Sequence, residues 1–178
     1  MRKEIIISGF GGQGVMLAGA LLCYVGMKSG KEVTFFPSYG AEMRGGTANC
    51  RVIVSDGIIG SPVFVNPDIL ISMNRPSFEK FKGRIKDRGI AFVNSSLFSP
   101  EENPETAYEI VKIPANKIAE DSGTILAANM VMLGALSKKT AIVSIDTLLK
   151  AIPEALPGKK NLWEANRKAL NEGFLSID

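Results

Sequence analysis

Two kinds of apolar run alternate along the chain. The short ones are unbroken and rich in β-branched residues: 3–8 (KEIIIS), 67–73 (PDILISM), 89–96 (GIAFVNSS) and 108–114 (YEIVKIP). Bounded by Gly, Pro and Asn, such runs predict strands buried on both faces, as in a parallel sheet. Residues 32–36 (EVTFF) predict one more strand. The longer runs, at 15–29, 75–85, 124–139, 144–152 and 159–174, predict helices. The first closes on Gly30 as a left-handed cap, and the last carries Leu162, Ala165, Ala169 and Leu170 at helical spacing. Residues 47–56 (TANCRVIVSD) alternate instead, with Ala48, Cys50, Val52 and Val54 on one face. An Asp-Gly turn then leads into IIGSPVF, which predicts a hairpin between the two segments.

Strands alternating with helices define an α/β chain with a Rossmann-like, open, mostly parallel sheet flanked by helices. No repeat or linker divides residues 1–178, and the length suits a single domain. Residues 94–106 (NSSLFSPEENPET) are the most loop-like segment. The helix around AANMVMLGAL is apolar nearly all round, more than one small domain should need, and therefore fits contact with a partner chain. Asn129 within it needs hydrogen-bond partners if it is buried.

Composition removes several function classes. A net charge of +3 from 21 Lys and Arg against 18 Asp and Glu is weak and scattered, unlike a nucleic-acid binder. The densest basic cluster, residues 80–88 (KFKGRIKDR), reads as a solvated helix face. With no histidine and two distant cysteines, Cys23 and Cys50, the chain has no spacing for a metal, a cluster or a disulfide framework. The apolar run at the start is too short for a signal-peptide core, and residues 15–29 fall short of a bilayer span. A cytoplasmic chain is expected, with no metal site, no catalytic residue of its own and no membrane contact.

Candidate chemistry sits in two glycine-rich loops. GFGGQG (residues 9–14) follows a predicted strand and opens a predicted helix, the context in which glycines admit an anion to a helix N-terminus. The candidate binding residues here are Gly9, Gly11, Gly12, Gln13 and Gly14. The same glycines would also serve close helix–strand packing. An NAD site needs an acid at the end of the second strand, where this chain has FFPSYG. Glu32 only begins that strand, and no GK[ST] follows the glycines. The second loop, PSYGAEMRGG (residues 37–46), supplies Ser38 and Tyr39 as hydroxyls, Glu42 and Arg44 as charges, and Gly40, Gly45 and Gly46 for close approach. Arg44 offers a fork for a phosphate or carboxylate, or an ion pair with Glu42. Both loops follow strands, so both are expected at the carboxyl edge of the sheet.

Together, GFGGQGVMLAGALL, PSYGAEMRGGTANCRVIVSD, IGSPVF, PDILISMN and NMVMLGAL resemble the gamma subunit of 2-oxoacid:ferredoxin oxidoreductases, in order from residue 3 to 136. LPGKKNLWEANRKALNEGF fits the family's tail. The form PSYGAEMRGG looks most like the 2-oxoglutarate and branched-chain 2-oxoacid branches, and less like the pyruvate branch. The resemblance implies a multisubunit enzyme that decarboxylates a 2-oxoacid on thiamine diphosphate, reduces ferredoxin through iron–sulfur clusters, and forms acyl-coenzyme A. It places thiamine diphosphate between alpha and beta subunits, and the clusters in beta or a ferredoxin-like delta chain. This chain would hold neither, would cover the active-site entrance and would help bind coenzyme A. Two other readings stay open: a stand-alone nucleotide- or flavin-binding oxidoreductase, against which the missing ribose acid counts, and an assembly module without a ligand.

Overall fold

The computed structural model describes residues 1–38, 48–101 and 107–177. Six strands form one sheet in the order β2-β3-β1-β4-β5-β6: β1 Arg2–Gly9, β2 Glu32–Ser38, β3 Ala48–Ser55, β4 Ile69–Ser72, β5 Ile90–Asn94 and β6 Glu109–Ile113. β1, β4, β5 and β6 are mutually parallel, while β3 runs antiparallel to both of its neighbours, β1 and β2. The mostly parallel sheet is as the sequence predicts.

The predicted hairpin is not formed. β3 spends one edge on β1, from Gly9↔Ala48 to Arg2↔Ser55, and the other on β2, from Ser38↔Asn49 to Glu32↔Ser55. Residues 57–66 form a loop with no strand. Alternation of period two reports which face a residue occupies but is silent on which strand lies beside it. The turn signal at Asp56-Gly57 therefore ended β3 correctly but named the wrong partner.

Two cores of unequal size sandwich the sheet. On one face Ile5, Ile7, Cys50, Val52, Val54, Ile71 and Phe92 are covered by most of the helices. On the other, Ile6, Ile53, Leu70 and Val93 meet Phe64, Phe78, Phe81 and Phe98. Central strands are thus apolar on both sides, and each fully buried Ile or Leu contributes about 1.5–3 kcal/mol by leaving water.

The larger layer holds α1 Val15–Lys28, α3 Ala115–Asp121, α4 Ala128–Thr140, α5 Ile145–Lys150, α6 Ile152–Ala155 and α7 Trp163–Leu175, and the smaller holds α2 Arg75–Phe81. α1 ends as predicted, with Gly30 at φ 72 and the Lys31 N–H returning to the Gly26 carbonyl at 3.0 Å. The run at 124–139 begins with a 3-10 turn, Ile125–Ala127, capped by the Thr124 side chain. α3 escapes the sequence pattern because seven residues with Ala115 and Ala119 as their buried positions give too short a period to read.

α4 corrects another expectation. It is buried from Ala128 to Ser137, but by its own chain, beneath α7 and beside α3. A Cβ at Gly134 would overlap the Leu170 carbonyl, and one at Gly173 the Val131 carbonyl, so paired glycines let the two backbones touch. No partner chain is needed to bury this helix. The basic cluster is also more committed than a solvated face, because α2 stops at Phe81 and Lys86 bridges Glu4 at 2.9 Å and Asp68 at 3.2 Å.

Candidate functional site

β1 and β4 run parallel and end together at Ser8↔Ser72, so their carboxyl ends form one rim. Gly9 opens the glycine loop there, and Gly14 N-caps α1 in the left-handed region, at φ 70. No side chain caps α1, and its first turn holds no acid. The helical ladder begins with Ala18 N–H to the Gly14 carbonyl at 2.9 Å, so the amides of Val15, Met16 and Leu17 precede it. Those donors and the helix dipole together favour negative charge at this end.

The glycines divide by role. A Cβ at Gly9 would lie 2.8 Å from Gln13 Oε1 and 2.9 Å from Met73 Cβ, and one at Gly14 would overlap the Asn129 amide. These two serve packing. Gly11 and Gly12 have nothing within 4 Å, and Gly12 alone of this pair needs its positive φ, 91. Among the described residues, nothing gives Gly11 a steric need to be glycine.

The Gln13 side chain turns inward. Its Oε1 accepts from Phe10 N–H at 2.7 Å and from Asn74 Nδ2 at 2.8 Å, and its Nε2 donates to the Met73 carbonyl at 3.5 Å. The same carbonyl accepts from Asn94 Nδ2 at 3.4 Å, and Asn94 also donates to Asn116 Oδ1 at 2.8 Å. Asn74 in turn caps α2 by accepting from Ser77 N–H at 3.0 Å. An uncharged amide chain therefore ties the glycine loop to the ends of β4 and β5 and to α3. Asn129 finds its partners here too, donating to the Gly14 carbonyl at 3.0 Å and accepting from Met130 N–H at 3.0 Å. Sequence reasoning missed Asn74, Asn94 and Asn116; the available signal was an Asn closing an apolar strand twice, in SMN and FVN.

Ser38 ends β2 in register with Asn49, which pairs with Ser8, so it lies on the same rim as the glycine loop. Ala48, where β3 starts, is opposite Gly9. Ser38 and Ala48 thus both lie beside the loop. Tyr39, Gly40, Glu42, Arg44, Gly45 and Gly46 lie outside the described residues. A recess of about 230 Å³ opens against Gly12 and Gln13, walled by Met73, Asn116 and the half-exposed Ile125 and Leu126.

Among the described residues, ion pairs gather at the other rim. Asp56 pairs with the N-terminal amine at 2.6 Å and with Lys31, and the Lys31 hydrogen bond leads in holding its carboxyl at about 2. Burial would raise Glu4, but hydrogen bonds from Lys86 and Arg2 outweigh it and leave the carboxyl below its ordinary value. Burial would likewise lower Lys86, yet its bonds to Glu4 and Asp68 raise it. In the core, burial pushes the thiols of Cys23 and Cys50 up to about 12, so neither is a nucleophile. Among the described residues no group of three His, Cys, Asp or Glu side chains lies together. Two singly buried thiols do not fit a cluster. No helix of the described residues is long and apolar enough to cross a membrane. At the glycine-loop rim the uncapped α1 amides favour negative charge.

Residues 4–176 match the pyruvate ferredoxin/flavodoxin oxidoreductase family. The chain belongs to this family, and within it to the gamma-type subunits of 2-oxoacid:ferredoxin oxidoreductases. It is 40% identical over 176 residues to the 2-oxoglutarate synthase subunit KorC of Methanocaldococcus jannaschii, covering 98% of this chain and 93% of that one. The gamma subunit of keto/oxoacid ferredoxin oxidoreductase from Geobacter sulfurreducens PCA matches with a TM-score of 0.84 at 32% identity, over 98% of this chain and 99% of that one. The 2-oxoglutarate:ferredoxin oxidoreductase of Magnetococcus marinus, with 2-oxoglutarate, coenzyme A and succinyl-CoA bound, gives a TM-score of 0.89 at 25% identity. That match spans 99% of this chain but 32% of the other.

Proposed function

We propose that this chain is the gamma subunit of an enzyme that oxidatively decarboxylates a 2-oxoacid, 2-oxoglutarate foremost, to its acyl-coenzyme A, with ferredoxin as acceptor. In this reading the chain is non-catalytic. It covers the active-site entrance and helps hold coenzyme A, while alpha and beta subunits, with a delta chain where present, carry thiamine diphosphate and the iron–sulfur clusters. The name of the KorC relative supports the choice of substrate, and the ligands of the Magnetococcus enzyme support coenzyme A.

The observation that carries the reading is the pairing of an uncapped α1 N-terminus with Gly11 and Gly12 facing open space on a rim tied together by neutral amides. Such a rim receives an anionic phosphate without repelling it. The segment with Tyr39, Gly40, Glu42, Arg44, Gly45 and Gly46 is assigned to the same ligand or to the alpha and beta chains, because its ends flank the loop. One observation favours the rival assembly module: Gln13 Oε1 already takes the Phe10 N–H that an anion would take.

Gly11→Leu in the assembled enzyme separates the two, since it adds bulk toward open space without a left-handed backbone to strain. An increase of about tenfold in KM for coenzyme A, equivalent to about 1.4 kcal/mol, is expected with the 2-oxoacid KM unchanged. Unaltered coenzyme A saturation would favour the assembly module.

A further inference from the structure

On the smaller face of the sheet, α2 and residues 98–101 and 107–110 enclose a cavity of about 720 Å³, a volume within the range of small-molecule sites. Phe78 and Phe98 form its apolar wall, with ring centroids 5.7 Å apart and planes tilted by 42°. The polar groups on the lining are unevenly engaged. Lys82 pairs with Glu79 at 2.5 Å and lies 5.9 Å from the centre of the Phe78 ring. Arg75, which opens α2, and Glu101 make no ion pair among the described residues. The half-buried Tyr108 hydroxyl has no hydrogen-bond partner there either, and burial holds it above its ordinary value although Lys82 pulls it back. The lining thus offers one uncommitted cation, one uncommitted carboxylate and one hydroxyl beside an aromatic wall. A bare anion on Arg75 would leave Glu101 facing like charge, and a bare cation on Glu101 would do the same to Arg75. A ligand with both signs and an apolar body answers every one of these groups.

We propose that this cavity binds a free α-amino acid with an aromatic or large apolar side chain. The carboxylate lies on Arg75, the ammonium faces Glu101, and the side chain rests against Phe78 and Phe98. The site shares no lining residue with the recess at the glycine loop, and it stands whether or not the subunit reading does.

The test is a titration of the full chain, followed by amide NMR, with L-phenylalanine, phenylpropionate and phenylethylamine, which share a ring and differ in charge. L-phenylalanine should shift the amides of residues 75–82 and 98–101 with a dissociation constant of about 1 mM or tighter. Phenylpropionate lacks the ammonium and phenylethylamine the carboxylate, so each should bind about tenfold more weakly or worse. Arg75→Gln and Glu101→Gln should each weaken L-phenylalanine by about tenfold. Both side chains are exposed, so both variants should keep the wild-type denaturant midpoint, which excludes misfolding as the cause. Equal binding of phenylpropionate and L-phenylalanine would show that nothing reads the ammonium, and would overturn the amino acid in favour of an aryl anion. Weakening by Glu102→Gln with Glu105→Gln, and none by Glu101→Gln, would move the ammonium's partner off this lining and overturn the assignment. Absence of any shift in the two segments, or shifts confined to residues 10–14, overturns the site itself.

Discussion

The two rims of the sheet are held by opposite means. At the amino ends of the strands, Met1, Arg2, Glu4, Lys31, Asp56, Asp68 and Lys86 form a lattice of ion pairs. At the carboxyl ends Gln13, Asn74, Asn94, Asn116 and Asn129 make the corresponding ties with neutral amides. The difference has a consequence for binding. A carboxylate fixed beside the α1 N-terminus would repel an anion there, whereas amides hold the loop without a net field of their own. Stability at one rim is therefore sensitive to salt and pH, and at the other it is sensitive to shape.

The largest effect should come from Gly14→Val. A β-branched residue at φ 70, overlapping the Asn129 amide, should cost about 3 kcal/mol, while Gly11→Ala should leave the urea midpoint near wild type. Equal losses at both positions would erase the division between packing and open glycines. Next, Asn94→Ala strands the Asn116 carbonyl oxygen and removes a bond to Met73, at about 1–2 kcal/mol. Its mark should be faster amide exchange in residues 10–14, undiminished in about 1 M salt, where charge interactions are screened.

The smallest effect belongs to the charged rim. Lys86→Met should cost about 0.5 kcal/mol, since these pairs are half in water, and that cost should vanish in high salt. The direction with pH follows from the shifts. Glu4 and Asp56 are depressed on folding, so their contribution is complete above the ordinary carboxylate range and is lost as pH falls, for Asp56 through the interval from 3.8 to about 2. Lys86 is raised, so its share is complete below 10.5 and lost as pH rises through its higher folded value. Thermal midpoints should be flat from the carboxylate range up to about 9, where the buried Cys23 and Cys50 thiols, raised from 9.0 to about 12, begin to lose their share as the unfolded chain ionises. Lys86→Met should remove only the Lys86 part of the alkaline fall.

Much of this was legible from pattern alone. KEIIIS and PDILISM read as strands buried on both faces because Ile5, Ile6, Ile7, Leu70 and Ile71 have a core on each side. GFGGQG read as a rim loop because a strand before it and a helix after it leave no other place. Gln13 was legible as a site residue but not as the hub of an amide chain, since Asn74 and Asn94 reach it from 61 positions and more along the chain. α4 read as a partner surface because an all-round apolar helix looks the same whether a foreign chain or its own α7 covers it.

The sequence by itself determined which segments become strand or helix, which faces are apolar, and where backbone may pass through a left-handed turn. These depend on neighbours within a few positions, where period and glycine chemistry act directly. Only the tertiary structure decided that β3 slides between β1 and β2, that α7 rather than a partner roofs α4, and that Gln13 joins Asn74 across the rim. Each of these is a pairing across long stretches of chain, and a residue's own pattern records its exposure but not the identity of what it meets.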